Sequence, residues 1–471
     1  MMIHAIRQKI PISNSVLSRL AVLAGLIVGL LGIGFVAPRV PSELVLIAVA
    51  APPFVLLALS RLEYGVLAII LTAAFVRFSL PTGTASRIVM SLLIAFIFIL
   101  LWLTRMLVRD KRLRLKPSST NVPLLAFILT AIISYVWSNA FRDPLVVVWR
   151  TWPFVQLGGL AVMILLPGAF LLTANSISEV RWLKLLCWSM ILVGVSSLVS
   201  YFFHIKLSFL NVRGLFSLWF VCLAYAQALF NKKLPLWLRL SLFGLVGVWV
   251  YIYFITPVTW LSGWLPTFVA IATITFLKSK RLFLIFVLLI AVYVGLSWDY
   301  YTGPVLAAEV EASGHTRLTA WEHNWRVTGR HLLFGTGPAG YAAYYMSYFP
   351  GEAMATHNNY IDILSQTGIV GLFFCLWFFG ALGWTGYKLS LRLKGTAEFS
   401  EGLANATLAG WAGCIVAMGL GDWLFPFVYT QTIAGFDYAV YSWILLGGMA
   451  ALGSIYQGES GQGWARWRAA S

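Results

Sequence analysis

The sequence contains few charged side chains, which make up only 10% of its 471 residues. Hydrophobic residues account for 60%, and the mean hydropathy is +0.85. Soluble domains are roughly half apolar and about one quarter charged, so this composition excludes an ordinary soluble domain. The chain is therefore expected to lie in a membrane.

Cysteine is also scarce, and none of the cysteines form a close pair or a spacing typical of a metal site. All of them fall within apolar runs of membrane-spanning length, where we expect them to pack against neighbouring helices or face lipid. They indicate nothing about the redox compartment. The four residues are Cys187, Cys222, Cys375 and Cys414.

Long apolar runs fill most of the chain, and fourteen of them approach the roughly 20 residues that cross a bilayer. The first follows a basic flank but has no clear cleavage site, so we interpret it as a retained helix. The sequence predicts an all-α polytopic membrane helix bundle of about 14 transmembrane helices, with one large extracytoplasmic loop containing short helices. The runs begin near Val16, Glu43, Tyr64, Ile88, Asn121, Pro153, Trp182, Arg213, Leu236, Val258, Leu282, Asn359, Leu403 and Asp437.

The distribution of charge predicts the orientation of these spans. With both termini in the cytoplasm, most of the 33 basic residues fall in cytoplasmic loops, including the segment "RMLVRDKRLRLK". Anionic lipid headgroups are a sufficient partner for this charge, so we expect contact with the bilayer and no nucleic-acid binding. The predicted organisation is transmembrane helices 1–11 over residues 1–298, an extracytoplasmic catalytic loop over 299–358, and helices 12–14 with a short cytoplasmic tail over 359–471.

The large loop contains a predicted helix followed by glycine-rich turns. Thr319 and Glu322 have the spacing of a capping box, which predicts a helix from Thr319 to about Leu333. The segment "GTGPAGY" has neither a preceding strand nor a following Lys-Ser or Lys-Thr pair, so a nucleotide site is not expected. We interpret its glycines as structural turns: Gly335, Gly337 and Gly340.

Four of the six histidines lie in this loop: His315, His323, His331 and His357. His323 and His331 are eight residues apart and fit one helical face, but no HExxH signature accompanies them. Two interpretations of these histidines remain: they bind a metal, or they lie at the membrane interface and form hydrogen bonds. We favour the interfacial, hydrogen-bonding role and predict no metal ligands and no cofactor.

Two arginines lie near the predicted outer ends of spans. Arg213 in "FLNVRGLF" separates the seventh and eighth runs, and Arg77 in "AAFVRFSL" follows the third. Ionisable groups at such depths are costly and commonly face a cavity. Snorkelling toward the headgroups is the alternative, and for Arg77 it fits equally well.

Three segments together resemble a known family. They are Arg213–Gly214 entering a span, "SGHTRLTAWEHNW" leading to "HLLFGTGPAGY", and "HNNYIDILSQTGIVGL" from His357 onward. In this order they resemble the bacterial O-antigen ligase and O-antigen polymerase family over roughly residues 200–390. One feature departs from that pattern: members often carry Ser-Arg-Gly at the start of a span, whereas here Ser262 is followed directly by Gly263.

The resemblance implies a membrane glycosyltransferase that moves a glycan from undecaprenyl diphosphate to a sugar hydroxyl of a saccharide or lipid-linked acceptor. It also implies a multi-pass protein of the bacterial inner (cytoplasmic) membrane, with cytoplasmic termini and an active site facing the periplasm. Other polysaccharide export proteins are partners that such a pathway allows.

The resemblance also suggests roles for individual residues. Guanidinium groups can hold diphosphate oxygens bidentately, which favours Arg213 and Arg317, followed by Arg77 and Arg326. A histidine is suited to remove the acceptor proton, and His357 is the candidate base. Neighbouring polar residues are expected to orient sugar hydroxyls or the imidazole, with helix capping or packing as the alternative: Asn358, Asn359 and Asp362.

Three functions fit these features. We favour a polymerase of O-antigen or exopolysaccharide, by analogy with members having fourteen spans. A ligase that transfers the finished chain to lipid A-core needs the same donor. A polysaccharide or lipid transporter should carry ionisable groups near mid-membrane, whereas here they gather at the predicted outer ends and in one loop.

Overall fold

The computed structural model describes residues 61–82, 86–109, 111–205, 207, 210, 212–255, 261–300, 303, 315–349 and 355–470. The chain separates into two compact units, residues 1–64 and 65–471. The second unit contains nearly all of the described elements. The predicted spans near Val16 and Glu43 lie outside the described residues.

Helices form almost all of the described structure. In chain order they are α1 Glu63–Phe75, α2 Met90–Val108, α3 Asn121–Ala140, α4 Trp152–Ser176, α5 Val180–Phe202, α6 Phe216–Phe230, α7 Leu236–Val250, α8 Leu261–Lys278, α9 Lys280–Leu296, α10 Trp298–Tyr300, α11 His315–Thr328, α12 Tyr341–Tyr348, α13 Asn359–Leu393, α14 Phe399–Leu420, α15 Val428–Gln431 and α16 Phe436–Ala470. A π-helical turn, Tyr251–Ile255, follows α7, and 3-10 turns occupy Gly329–His331 and Ile433–Gly435.

A short hairpin joins α1 to α2. Its strands β1 (Ser79–Pro81) and β2 (Arg87–Val89) are antiparallel, with Leu80 opposite Ile88. They are the only strands among the described residues, so the predicted all-α class is confirmed. The hairpin itself was not predicted from the sequence.

Nine of the described helices are long and apolar enough to cross a membrane: α2–α5, α7 with its π-helical turn, α8, α13, α14 and α16. Three other predicted runs form shorter helices, which are α1, α6 and α9, with 13, 15 and 17 residues. The polytopic bundle is therefore confirmed, while fewer helices in the described part reach spanning length than the sequence predicts.

The centre of the bundle is built around α14 and α16. Helix α14 packs against α6, α8 and α13, and α16 packs against α4. Small residues permit this close approach: a Cβ at Gly410 of α14 would lie 2.2 Å from the Trp219 ring of α6. Helix α9, in contrast, has no buried residue, so its apolar side chains remain available to lipid.

Helix α13 is broken at Gly368, whose φ and ψ are 71° and −173°. The break frees backbone groups that a straight helix would pair internally. The Ile369 N–H donates to the Leu332 carbonyl at 2.7 Å, and the Thr336 and Gly337 N–H groups donate to the carbonyls of Ser365 and Gln366 at 2.9 and 3.0 Å. The loop before α12 thus fills the break. The break at Gly368 separates a short polar segment of α13, 359–367, from its long apolar stretch, 369–393.

The loop helix differs from its prediction at both ends. Helix α11 already includes His315, so Thr319 lies inside it and the capping-box prediction is wrong. The α-helix ends at Thr328 and gives way to a 3-10 turn, earlier than the predicted Leu333. The turn glycines differ in conformation: Gly335 and Gly337 have φ values of 70° and 88°, whereas Gly340 does not have a positive φ and directly precedes α12.

Candidate active site

His357 lies in a short irregular segment directly before α13. Its φ is 48°, and its side chain is 44% exposed. Nδ1 lies 3.6 Å from Oδ1 of Asp422, whose side chain is only 3% exposed. This separation is too long for a hydrogen bond but short enough for a strong charge interaction with a protonated ring. One nitrogen of an accessible imidazole therefore faces a buried carboxylate.

Asp422 follows the end of α14, in a segment that returns across the site. Its Oδ2 accepts hydrogen bonds from the Phe427 N–H at 3.3 Å and the Thr430 hydroxyl at 3.4 Å. Both contacts leave Oδ1 directed toward His357. Sequence reasoning missed Asp422, although a lone carboxylate at the end of an apolar span is a recognisable signal of a functional group.

The residue before His357 is held by three separate helices. The Trp321 indole of α11 donates to the Thr356 carbonyl at 2.7 Å, and the Thr356 hydroxyl donates to Asp362 of α13 at 2.5 Å. Tyr341 of α12 donates to the same Asp362 oxygen at 2.7 Å. Burial beside Asp362 raises the pKa of Tyr341 well above its usual value, so the phenol remains a donor. The backbone that carries His357 is thus fixed in its left-handed conformation.

The two predicted orienting asparagines contact the backbone. Asn358 caps α13, since its Oδ1 accepts from the N–H groups of Tyr360 and Ile361 at 2.9 and 3.3 Å. Asn359 is fully buried, accepts from the Leu424 N–H at 3.0 Å, and donates to the Phe425 carbonyl at 2.7 Å. These contacts match the capping and packing alternative. They also hold the Asp422 segment against the start of α13.

Arg213 is linked to the same segment through an aromatic contact. Arg213 itself is exposed. The next residue, Gly214, has a φ of 60° and packs closely against Tyr438, because a Cβ at Gly214 would lie 2.9 Å from the Tyr438 ring. The Tyr438 ring in turn lies 6.0 Å from the ring of Trp423, which follows Asp422. Arg77 joins this region as well, because its Nη2 donates to the Leu210 carbonyl at 2.6 Å.

The two arginines of α11 lie on different faces of that helix. Arg317 precedes Trp321 by four residues, so it shares the face that contacts Thr356. Arg326 instead pairs with Glu322 at 2.5 Å, and both side chains are 61% exposed. The structure therefore brings Arg317 to the side of the loop that carries His357, while Arg326 lies in an exposed ion pair.

Two other loop histidines contact aromatic rings. His323 stacks on Phe349 with ring centroids 3.9 Å apart, and its Nδ1 lies 3.2 Å from the Tyr345 hydroxyl. His331 makes an edge contact with Tyr344, and burial lowers the pKa of His331. The side chain of His315 lies outside the described residues.

This arrangement has a clear chemical capacity. When Nδ1 of His357 carries the proton that faces Asp422, Nε2 is left with a lone pair to accept a proton from a bound hydroxyl. Arg213 supplies an exposed cation at the same end of the bundle, and Arg317 lies one turn from Trp321. The residues thus combine a candidate base with cations suited to an anionic leaving group.

Part of the chain, including the candidate base, matches a known protein family. Residues 189–376 match the family model described as O-antigen ligase. The matched stretch includes Arg213, Arg317 and His357 and ends within α13, so Asp422 lies beyond it. No curated protein matches the chain. With its helices of membrane-spanning length and this match over residues 189–376, the resemblance is confirmed: the chain is a membrane protein with a stretch that matches the O-antigen ligase family, which supports a membrane glycosyltransferase of the ligase or polymerase type.

Proposed function

We propose that the protein transfers a glycan from undecaprenyl diphosphate to a sugar hydroxyl at the periplasmic face of the bacterial inner membrane. The observation that carries this proposal is the half-exposed His357 ring, whose Nδ1 lies 3.6 Å from the buried Asp422 carboxylate. A base so placed serves a reaction in which a neutral hydroxyl must lose its proton.

His357 acts as general base in this proposal. Its Nε2 accepts the proton of the acceptor hydroxyl while the oxygen attacks the anomeric carbon of the donor glycan. The bond between that carbon and the diphosphate oxygen breaks, and undecaprenyl diphosphate leaves with the bonding electrons. Asp422 stabilises the imidazolium that forms, as a buried carboxylate does for a catalytic histidine.

The leaving diphosphate gains negative charge as the bond breaks, and arginines are suited to offset it. Arg213 and Arg317 are the proposed diphosphate ligands, because the fork of a guanidinium matches phosphate oxygens bidentately. Arg77 supports this region through its bond to the Leu210 carbonyl. Arg326, paired with Glu322, has the weakest claim among the four arginines.

The orientation in the membrane follows from charge. Basic residues concentrate in loops that the positive-inside rule assigns to the cytoplasm, which leaves the loop containing His357 on the periplasmic side. A lipid-linked sugar presented at that surface meets the site at headgroup level.

The nature of the acceptor distinguishes two proposals. A polymerase moves the growing chain onto the next lipid-linked repeat, and the predicted fourteen spans favour it by analogy. A ligase moves the chain onto lipid A-core, and the description of the matching family model favours this second candidate. Both reactions use the same donor and the same base.

The test is to incubate the purified protein in detergent with an undecaprenyl-diphosphate-linked repeat unit and to resolve the glycan lengths. A ladder of longer lipid-linked chains without any other acceptor supports the polymerase. Transfer that appears only after lipid A-core is added supports the ligase. Absence of product with both acceptors, and with repeats from several polysaccharides, contradicts a glycosyltransferase and favours the transporter.

A further inference from the structure

A cavity of about 680 Å³ lies at the end of α13 remote from His357. Its walls come from three places: residues 117–119 before α3, the last turns of α13, and α16 between Ala450 and Gln457. The stretch 369–393 of α13 is roughly 37 Å long at 1.5 Å per residue, enough to cross the hydrocarbon core. The cavity and His357 therefore lie at opposite faces of the membrane.

The lining of this cavity is cationic and rich in hydroxyl groups. Lys388 and Arg392 contribute two positive charges, and the described residues that line the cavity include no carboxylate. Ser119 and Thr385 present hydroxyl oxygens 3.1 Å apart. Lys388 Nζ lies 4.9 Å from the Trp384 ring centroid, which places an ammonium beside an aromatic face. Such a lining is complementary to a phosphate group.

Charge around the cavity strengthens this complementarity. The segment 105–116, with the sequence "RMLVRDKRLRLK", leads directly into Pro117 and carries far more basic than acidic residues. The cavity also lies beside the N-terminus of α3, the positive end of a 20-residue helix. An anion is thus favoured by side-chain charges, by hydroxyl donors and by the helix dipole.

An apolar strip extends from the cavity along α13. Phe373, Trp377 and Trp384 are 57%, 45% and 57% exposed, and their spacing places them along one side of the helix, as far as Lys388. In a bilayer these rings face acyl chains, while Trp384 lies near the headgroups, where tryptophan is enriched. A free anion would use only the cationic end, whereas a phospholipid would also use this strip.

We propose that this cavity binds the phosphate headgroup of an anionic phospholipid, with its acyl chains along Phe373, Trp377 and Trp384. The site is separate from the proposed donor site, since it lies on the other face of the membrane, and it does not depend on the proposed reaction. The shared chemistry is a phosphate, so inorganic phosphate is the second source that an experiment must distinguish.

The test compares the purified full-length protein with the double variant Lys388→Gln/Arg392→Gln. The matched control is Lys280→Gln/Arg281→Gln, which removes one lysine and one arginine from the exposed start of α9, outside the cavity lining. Retention of phosphatidylglycerol, phosphatidylcholine and inorganic phosphate is measured by native mass spectrometry. The melting temperature is measured with each of these ligands. Equal melting temperatures in neutral detergent establish that both variants are folded.

We expect wild type and control to retain phosphatidylglycerol over phosphatidylcholine and to gain thermal stability from it. The double variant should bind phosphatidylglycerol about 30-fold more weakly, as expected for the loss of two charges near a membrane surface. Unchanged retention in the double variant would overturn the site, as would an equal loss in the control. Stabilisation by inorganic phosphate equal to that by phosphatidylglycerol would overturn the lipid assignment.

Discussion

The two ends of α13 show how one helix can carry two kinds of polar site. At the end near His357, the polar residues of 359–367 are largely buried, and their hydrogen bonds connect α11, α12 and the segment after α14. At the other end, Lys388 and Arg392 are exposed beside an open cavity. The first end is held by many hydrogen bonds, whereas the second carries long charged side chains at an exposed surface.

The two ends of α13 therefore suit different tasks: the end near His357 positions a catalytic side chain, and the end at the cavity attracts an anion. A base must be held near one geometry, because a displacement of about 1 Å can cost roughly 100-fold in rate. Binding a headgroup requires charge and reach but little precision, so mobile lysine and arginine side chains suffice. The function of the first end of α13 should therefore be sensitive to small changes in its geometry.

The largest expected effect is that of His357→Ala. Loss of a general base typically costs about 10²- to 10⁴-fold, so glycan transfer should fall by that factor in the purified protein. The melting temperature should change little, because the ring is 44% exposed. The matched control is His331→Gln, a change to a histidine that contacts Tyr344 instead of Asp422. Comparable activity in His357→Ala and wild type would remove His357 from the mechanism.

Gly368→Ala should be the most destabilising of these changes. A Cβ there would lie 2.2 Å from the Leu333 carbonyl oxygen, and the φ of 71° strains any L side chain. Left-handed strain of about 1–2 kcal/mol and overpacking of about 1–3 kcal/mol together predict a loss of about 2–5 kcal/mol. The melting temperature in detergent measures it. Gly380→Ala, in the same helix with no atom within 4 Å, should melt like wild type. Equal melting of both variants would show that the break in α13 is not required.

Asp422→Asn should have a smaller effect on activity. It removes the charge that faces His357 while preserving size and shape. A pair of unit charges about 4 Å apart is worth from about 1 kcal/mol in water to about 4 kcal/mol near a protein surface, and for a half-exposed ring the low end of this range predicts a loss of roughly tenfold in rate. The measurement is kcat for transfer, with the melting temperature as a check on folding. A variant that is folded and as active as wild type would mean that His357 acts without its carboxylate partner.

The smallest predicted effect distinguishes the arginines. Arg213→Lys and Arg317→Lys should each reduce kcat/KM for the lipid-linked donor roughly fivefold, because a point charge loses the bidentate fork. Arg326→Lys can keep its exposed pair with Glu322 and should leave kcat/KM unchanged. If Arg326→Lys lost as much kcat/KM as the other two variants, the assignment of Arg213 and Arg317 as the diphosphate ligands would be wrong.

The predictable part of the fold is the part that hydropathy determines. Runs of apolar residues located the helices α1–α9, α13, α14 and α16, since a helix that satisfies its own backbone is the only stable spanning form here. The break at Gly368 could not be predicted in this way. It depends on hydrogen bonds from residues 332–337 to α13, and such distant pairing leaves no periodic signal in the sequence.

The candidate site was predictable only near its centre. The pair His357–Asn358 before an apolar run marked one end of a helix, and the family resemblance supplied a role for the histidine. Asp422 and Tyr341 escaped prediction because they are brought to the site by tertiary packing, 65 and 16 residues away from His357. The capping-box prediction failed because Thr319 and Glu322 had the right spacing inside a helix that had already begun.

The most direct measurement is the release of undecaprenyl diphosphate from a lipid-linked repeat by wild type and His357→Ala, prepared and assayed side by side. Wild type should release the lipid in proportion to the glycan bonds formed. The folded variant should bind the donor but release almost none. Equal release by the two proteins would contradict the claim that His357 activates the acceptor hydroxyl.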